Sequence, residues 1–542
     1  MKKHVRISAI ITALVTLSSG AVSSFTGVAA GKAPTPPKGG MSLELPGFTG
    51  VIGGEKIGTE SLLLTQNYLP ISGKVSLYGD DEPLPESFDM RREGMTTSVK
   101  NQNPYGTCWT FSAAASAESS LLKYKPSVDL SELHTAFFTY FGESRLYYSG
   151  LSLMFDDSIL DLGGNCYAVG NLWSQWNGAI DEEKLGYVDG RLFADEDYSV
   201  PNEEYAQQYE YLSDYHLKNA YIFDYSRDGS NREEVNELVK QFVFSGNIVD
   251  ISYCTDGYSY NTGACYSEKS PMMANHSVSV VGWDDSYTAA NFDGNVGAWL
   301  IKNSWGTHFS DEGYFWLSYA DSSICEFSVF EMTGSESLSD IYFHDSTCPS
   351  QNLCADEDMD INKPSYAANV FTAERTEQLE AISTYISKPG TEYEITVYTG
   401  LSDPGDPASG TASAVTSGIS ELTGYITIYL DENVLLEENE LFSVEVKYYC
   451  DDSKFVIPVE ASTYLEDKES GAVEDTSLIF SNFASYEQLC NLTGQGESFY
   501  SEDGSEWFDV KDEDYQYSDE EKDMFLEALI DEMTELNGGT LS

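Results

Sequence analysis

Apolar residues recur at helical intervals between Trp109 and Tyr124, with Phe111, Ala114, Ala115, Leu121 and Leu122 on the repeat. The pattern predicts an amphipathic helix. Val235 to Phe244 reads as a second helix, and Asp129-Leu130-Ser131-Glu132 carries the capping residues of a third. The period then changes. Ile248–Tyr253, Ser277–Trp283, Ala298–Lys302 and Gly313–Ser318 are alternating or aromatic-rich runs, the mark of antiparallel strands. A helical half followed by a strand half gives an α+β domain over residues 84–333, with a cleft between the halves.

Beyond Ser337 the runs are short and β-like: Ala367–Thr372, Ala381–Ile386, Tyr393–Tyr398, Tyr425–Leu430 and Leu441–Tyr449. Pro389-Gly390 and Asp503-Gly504 read as turns. This spacing predicts an all-β sandwich over 338–510. Residues 511–542 form an acidic tail or C-terminal helix, with Phe525, Leu526, Leu529, Ile530 and Met533 on one face.

The first 30 residues have the layout of a signal peptide. Lys2, Lys3 and Arg6 precede the apolar run Ile7–Leu17, and small residues stand at Val28-Ala29-Ala30. Residues 31–83 read as a linker or pro-like segment without a long charged helical pattern. The apolar run is too short to span a bilayer, so the mature chain is expected to be secreted, soluble and monomeric.

Composition narrows the function classes. Asp and Glu number 89 against 29 Lys and Arg, giving a net charge of −60. Such a surface repels nucleic acid and anionic membranes. Nine cysteines in an exported chain suggest disulfides. Cys254 with Cys265 and Cys348 with Cys354 are the sequence-local pairs, and the full connectivity stays open. No zinc-type spacing and no phosphate-cradling glycine loop is present, and no cofactor is expected. Asp356, Asp358, Asp360 and Asn362 alternate, but Ile361 and Ala367 stand where a calcium-binding EF-hand needs Gly and Glu, which rejects that motif.

The chemistry points to Cys108. Pro104 and Gly106 end a loop just before it, so the thiol falls at the start of the predicted helix. A helix N-terminus favours an anion, and the thiolate is expected at a lower pH than in a free cysteine.

V-K-N-Q-x-x-x-G-x-C-W-x-F-S, from Val99 to Ser112, resembles the papain family of cysteine peptidases. N-H-S-V-S-V-V-G-W from Asn275 resembles the family's histidine strand, and W-L-I-K-N-S-W-G from Trp299 its asparagine segment. The resemblance implies a two-lobed fold with Cys108 as nucleophile, His276 as general base and acid, Asn303 orienting the imidazole and Gln102 donating to the oxyanion. It implies that Trp305 shields the His–Asn contact and that Gly163 and Gly164 bind the substrate backbone. Ser277 is a candidate wall of the selectivity pocket. The histidine and asparagine lie further from Cys108 than the family's usual 130–150 or so residues, and Asp284–Gly297 reads as an inserted loop. Tyr105 and Asp161 replace two cysteines that the family pairs in a disulfide.

The C-terminal part resembles the lectin-like β domain that follows papain-type peptidases in some secreted bacterial proteins. A-A-N-V-F-T-A from Ala367 and F-Y-S-E-D-G-S-E-W from Phe499 carry that likeness. The reading is a secreted cysteine endopeptidase acting on proteins or peptides. The alternative is an adhesin whose β domain binds a glycan or a cell-surface ligand.

Overall fold

The computed structural model describes residues 83–141, 159–161, 163–194, 198, 200–226, 229–335, 338–344, 351–353, 363–450, 457–459, 463–465, 486–489 and 494–510, together with two short strands at Ile7–Ser8 and Val51–Ile52. Apart from Ile7–Ser8, the signal-peptide pattern lies outside the described residues, as do Cys348, Cys354, the Asp356–Asn362 alternation and the acidic tail. Among the described residues no helix is long and apolar enough to cross a membrane.

The fold is α+β. The helices that matter are α1 (Cys108–Leu121), α2 (Glu132–Phe138), α3 (Cys166–Ser174) and α4 (Arg232–Phe244). The first three build one lobe around Trp109, Leu133, Phe137, Val169 and Trp173. Strands build the other lobe: β1 (Ser87–Asp89), β2 (Tyr215–Phe223), β3 (Val249–Tyr253), β4 (His276–Asp284), β5 (Ala298–Lys302), β6 (Tyr314–Ser318) and β7 (Cys325–Gly334). In the sheet they run β2-β7-β3-β4-β5-β6, with β1 alongside β4. Helix α4 supplies Val235, Leu238, Val239 and Phe242 to this second core.

Helix α1 departs from the amphipathic expectation: of its residues only Ser120 escapes full burial. It runs between the lobes, so both faces are covered. Trp109, Ala113 and Ala117 pack on the helical lobe. The opposite face is serine-rich and short, which lets the helix approach the strands closely. Ser112 donates to Asp250, Ser116 donates to the Ile248 carbonyl (2.7 Å), and Ser119 accepts from the Ile248 amide (2.9 Å). Each buried hydroxyl is thereby satisfied.

The C-terminal domain is a sandwich. One layer orders β11 (Thr411–Ser420), β10 (Thr391–Thr399), β13 (Leu441–Tyr449), β8 (Ser365–Thr372) and β14 (Ser498–Ser501), with Phe508–Asp509 at the end. The facing layer is β9 (Glu377–Ile386) paired with β12 (Gly424–Leu436). Ile382, Ile428 and Leu430 from one layer meet Val397, Phe442 and Val446 from the other. Strand β12 also pairs with β2 of the first domain's sheet, so the two domains share hydrogen-bonded strands.

The expected pairing of Cys254 with Cys265 is not made. Cys254 and Cys265 are both free and buried. The Cys265 thiol points at the Cys254 carbonyl oxygen, 3.8 Å away, rather than at its sulfur.

Candidate active site

Cys108 opens α1 and His276 opens β4, on opposite sides of the junction between the lobes. Both are buried, Cys108 at 1% exposure and His276 at 3%. Ser277, the residue after His276, hydrogen-bonds the Cys108 sulfur through both its amide and its hydroxyl, and the Trp109 amide adds a third donor. The ends of α1 and β4 are therefore in contact.

His276 is held from two sides. Its Nε2 lies 2.8 Å from Asn303 Oδ1, and the Trp305 ring stacks on it at 4.6 Å between centroids. Asn303 follows β5, and its amide donates to the Gly313 carbonyl (3.0 Å). Asn303 Oδ1 also accepts from the Ser304 amide (2.8 Å), which fixes the side chain. With Nε2 donating to an amide oxygen, Nδ1 is the basic nitrogen of the ring.

Gln102 is fixed just as tightly. Its Oε1 accepts from the Ser304 hydroxyl (2.7 Å) and its Nε2 donates to the Tyr105 carbonyl (3.0 Å). A carboxamide nitrogen carries two protons, so one is left for another acceptor. The Gln102 backbone pairs with the Ser304 carbonyl (2.8 Å) and the Tyr187 hydroxyl (2.6 Å). Where the family resemblance places a disulfide, a hydrogen bond ties the loop: the Gly106 amide donates to Asp161 Oδ1 (2.9 Å).

Beside these residues lies a charge cluster that is buried except at Asp129. Lys100 Nζ reaches Glu118 (2.8 Å), Glu132 (2.6 Å) and Asp129 (2.6 Å), while Lys302 donates to Thr97 (2.9 Å). Lys100 stands two residues before Gln102 and Lys302 one before Asn303, so the cluster anchors the loop ahead of Cys108 and the end of β5.

Gly163 and Gly164 lie on the helical lobe. The Tyr140 hydroxyl occupies the Gly163 carbonyl (2.7 Å). Gly164 presses on Trp109: a β-carbon there would stand 2.4 Å from the indole. Asn165 then caps α3 through the Ala168 amide (3.0 Å).

The electrostatics correct the expectation for the thiol. Burial pushes Cys108 up, to about 11, against the lowering by the Ser277 and Trp109 donors, and Asp250 adds to the rise. Burial likewise pushes His276 down, to about 4, against the Asn303 hydrogen bond. The helix-end argument is local, whereas desolvation acts on the whole closed site and outweighs it. Each group alone is neutral at pH 7.

Sequence reasoning placed no role on Ser304, Tyr187, Ser252 or Glu326. Ser304 was visible within N-S-W-G. Glu326 was visible as a lone acid between Cys325 and Phe327 in an apolar run.

A family model described as papain family cysteine protease matches residues 84–135 and 163–334, and one described as a lectin like domain matches residues 341–493. Cathepsin S from Bos taurus is 28% identical over 249 residues, covering 45% of this chain and 63% of the relative's own length. Two solved structures share the fold. Clostridial cysteine protease Cwp84 after propeptide cleavage is 20% identical at a TM-score of 0.58, covering 79% of this chain and 95% of that one. The cysteine protease and lectin-like domains of Cwp84, a surface layer associated protein of Clostridium difficile, are 20% identical at a TM-score of 0.57, covering 81% and 87%. The chain carries a papain-family cysteine peptidase domain followed by a lectin-like domain.

Proposed function

We propose that this protein is a secreted endopeptidase that hydrolyses peptide bonds through Cys108, His276, Asn303 and Gln102. The observation that carries the reading is the convergence of these four side chains: Ser277 holds the sulfur beside the histidine strand, and Ser304 links Gln102 to Asn303.

Because burial disfavours either charge alone, the proton moves within the pair. His276 Nδ1 takes the thiol proton as sulfur attacks the carbonyl carbon, so the closed site gains no net charge. The Cys108 amide and the second proton of Gln102 Nε2 receive the oxyanion. The imidazolium then protonates the leaving amine. Water, activated by the same ring, hydrolyses the thioester and restores the thiol. Asn303 keeps the ring in one tautomer throughout, and Trp305 keeps water off that hydrogen bond. Gly163 and Gly164 bind the substrate backbone, and Ser277 borders the selectivity pocket.

Export rests on the N-terminal charge and hydropathy pattern, and the similar Clostridium difficile protein is described as surface layer associated. The lectin-like domain is the candidate carrier of a glycan or cell-surface ligand. The adhesin alternative is not favoured, since the peptidase motifs are complete. Replacing Cys108→Ala is expected to abolish cleavage of a denatured protein by the purified chain. Unchanged turnover would refute the assignment.

A further inference from the structure

A line of buried hydroxyls leaves the nucleophile on the side away from Asn303. Ser277, whose hydroxyl contacts the Cys108 sulfur, lies 3.0 Å from Ser252 Oγ across the β4–β3 pair. Ser252 Oγ lies 2.7 Å from Glu326 Oε2 on β7. All three residues are at most 3% exposed. Glu326 also holds a φ of 56°, in the left-handed region that side chains disfavour. Such strain is characteristic of functional positions.

Each serine owns one proton, and that fixes the direction of the whole line. With Glu326 ionised, Ser252 donates to Glu326, so Ser277 donates to Ser252. The sulfur then faces a lone pair, which suits the thiol. With Glu326 protonated, the acid donates to Ser252, Ser252 to Ser277, and Ser277 to the sulfur, which suits the thiolate. We propose that Glu326 is a positioning residue for the nucleophile, setting through Ser252 and Ser277 whether Cys108 meets a proton acceptor or a proton donor. The proposal rests on Cys108 being the nucleophile. The two arrangements differ only in how the two hydroxyls are turned and in whether Glu326 carries a proton; the S–H proton itself goes to His276 Nδ1.

Other titratable groups face Glu326 from the elements around it. Asp224, after β2, accepts from the Glu326 amide (3.1 Å). Asp250 on β3 accepts from Ser328, two residues along β7 (3.0 Å). Cys166 and Tyr167 face Glu326 from α3, and His276 shares β4 with Ser277.

The test is the pH dependence of Cys108 alkylation by iodoacetamide in the full chain, with the modified peptide mapped by mass spectrometry. In E326Q the neutral amide donates inward, and in S252A the Ser277 proton is released to the sulfur. Both variants are expected to lower the alkylation midpoint by about one unit, the size of a hydrogen bond gained by an anion. Melting curves establish that each variant is folded. If E326Q fails to fold, S252A decides alone, since it removes a single hydroxyl. A midpoint equal to or above that of the unsubstituted chain in folded variants overturns the proposal while leaving the nucleophile in place. No modification of Cys108 in the unsubstituted chain overturns both.

Discussion

Gly424 of the lectin-like domain sits opposite Tyr221 of the peptidase sheet, and a β-carbon on it would stand 1.9 Å from the Ala220 carbonyl oxygen. Its φ of 118° also disfavours any side chain. Close backbone approach is what lets β12 join β2. Tyr425, the next residue, enters the peptidase core beside Gly170. Gly424→Ala is therefore expected to lower stability by about 2 kcal/mol or more, through strain and lost strand pairing. Denaturant midpoints measure this. An unchanged midpoint would show that the junction tolerates separation.

Asn303 fixes the tautomer of His276 through the 2.8 Å contact. Asn303→Ala removes that hydrogen bond and leaves Nε2 buried. A loss of about 10- to 100-fold in kcat/KM is expected, with KM little changed. A change confined to KM would place Asn303 in substrate binding instead.

Gln102 is held by Ser304 and Tyr105 with one proton uncommitted. If that proton meets the oxyanion, Gln102→Ala lowers kcat by about 10² to 10³. Ser304→Ala frees the carboxamide to rotate and is expected to give a smaller loss in the same parameter. Full activity in Gln102→Ala would remove it from the mechanism.

His134 gives a pH-dependent stability. It is buried in the helical lobe and donates from Nε2 to the Tyr209 carbonyl (2.9 Å), and burial pushes it down from 6.5 to about 4. Above pH 6.5 the ring is neutral whether the chain is folded or not. Between 6.5 and 4 the unfolded chain binds a proton that the folded chain refuses, so stability falls with pH. His134→Gln is expected to reduce the stability lost between pH 7 and 4.5 by about 2 to 3 kcal/mol. An identical pH dependence in the variant would contradict the burial argument.

The fold class was legible because its signals are local. Strong runs such as Ala298–Lys302 and Leu441–Tyr449 appear as strands with those limits. Three of the long strands gave no signal. Thr411–Ser420 is built from Thr, Ala, Ser and Gly with little apolar alternation, yet it extends the six-stranded layer. Tyr215–Phe223 is covered on both faces except at Lys218, which erases the two-residue period. In Cys325–Gly334 the same double burial hides the alternation. The β12–β2 junction was invisible for another reason: pairing between segments two hundred residues or so apart leaves no local pattern. At the candidate site, the motif residues Gln102, Cys108, His276 and Asn303 were named from sequence, and the structure places them around one junction. Their supports were not legible. The Ser277–Ser252–Glu326 line exists only because three strands lie side by side.

The central claim is that one buried sulfur, beside the histidine strand, is the reactive group. A peptidyl epoxide that alkylates thiols, added to the full-length chain and mapped by mass spectrometry, measures this directly. Modification at Cys108, lost when His276 is changed to Ala, is the expected result. Modification at Cys166, Cys254, Cys265, Cys325 or Cys450 in preference to Cys108, or none at all, would contradict the account.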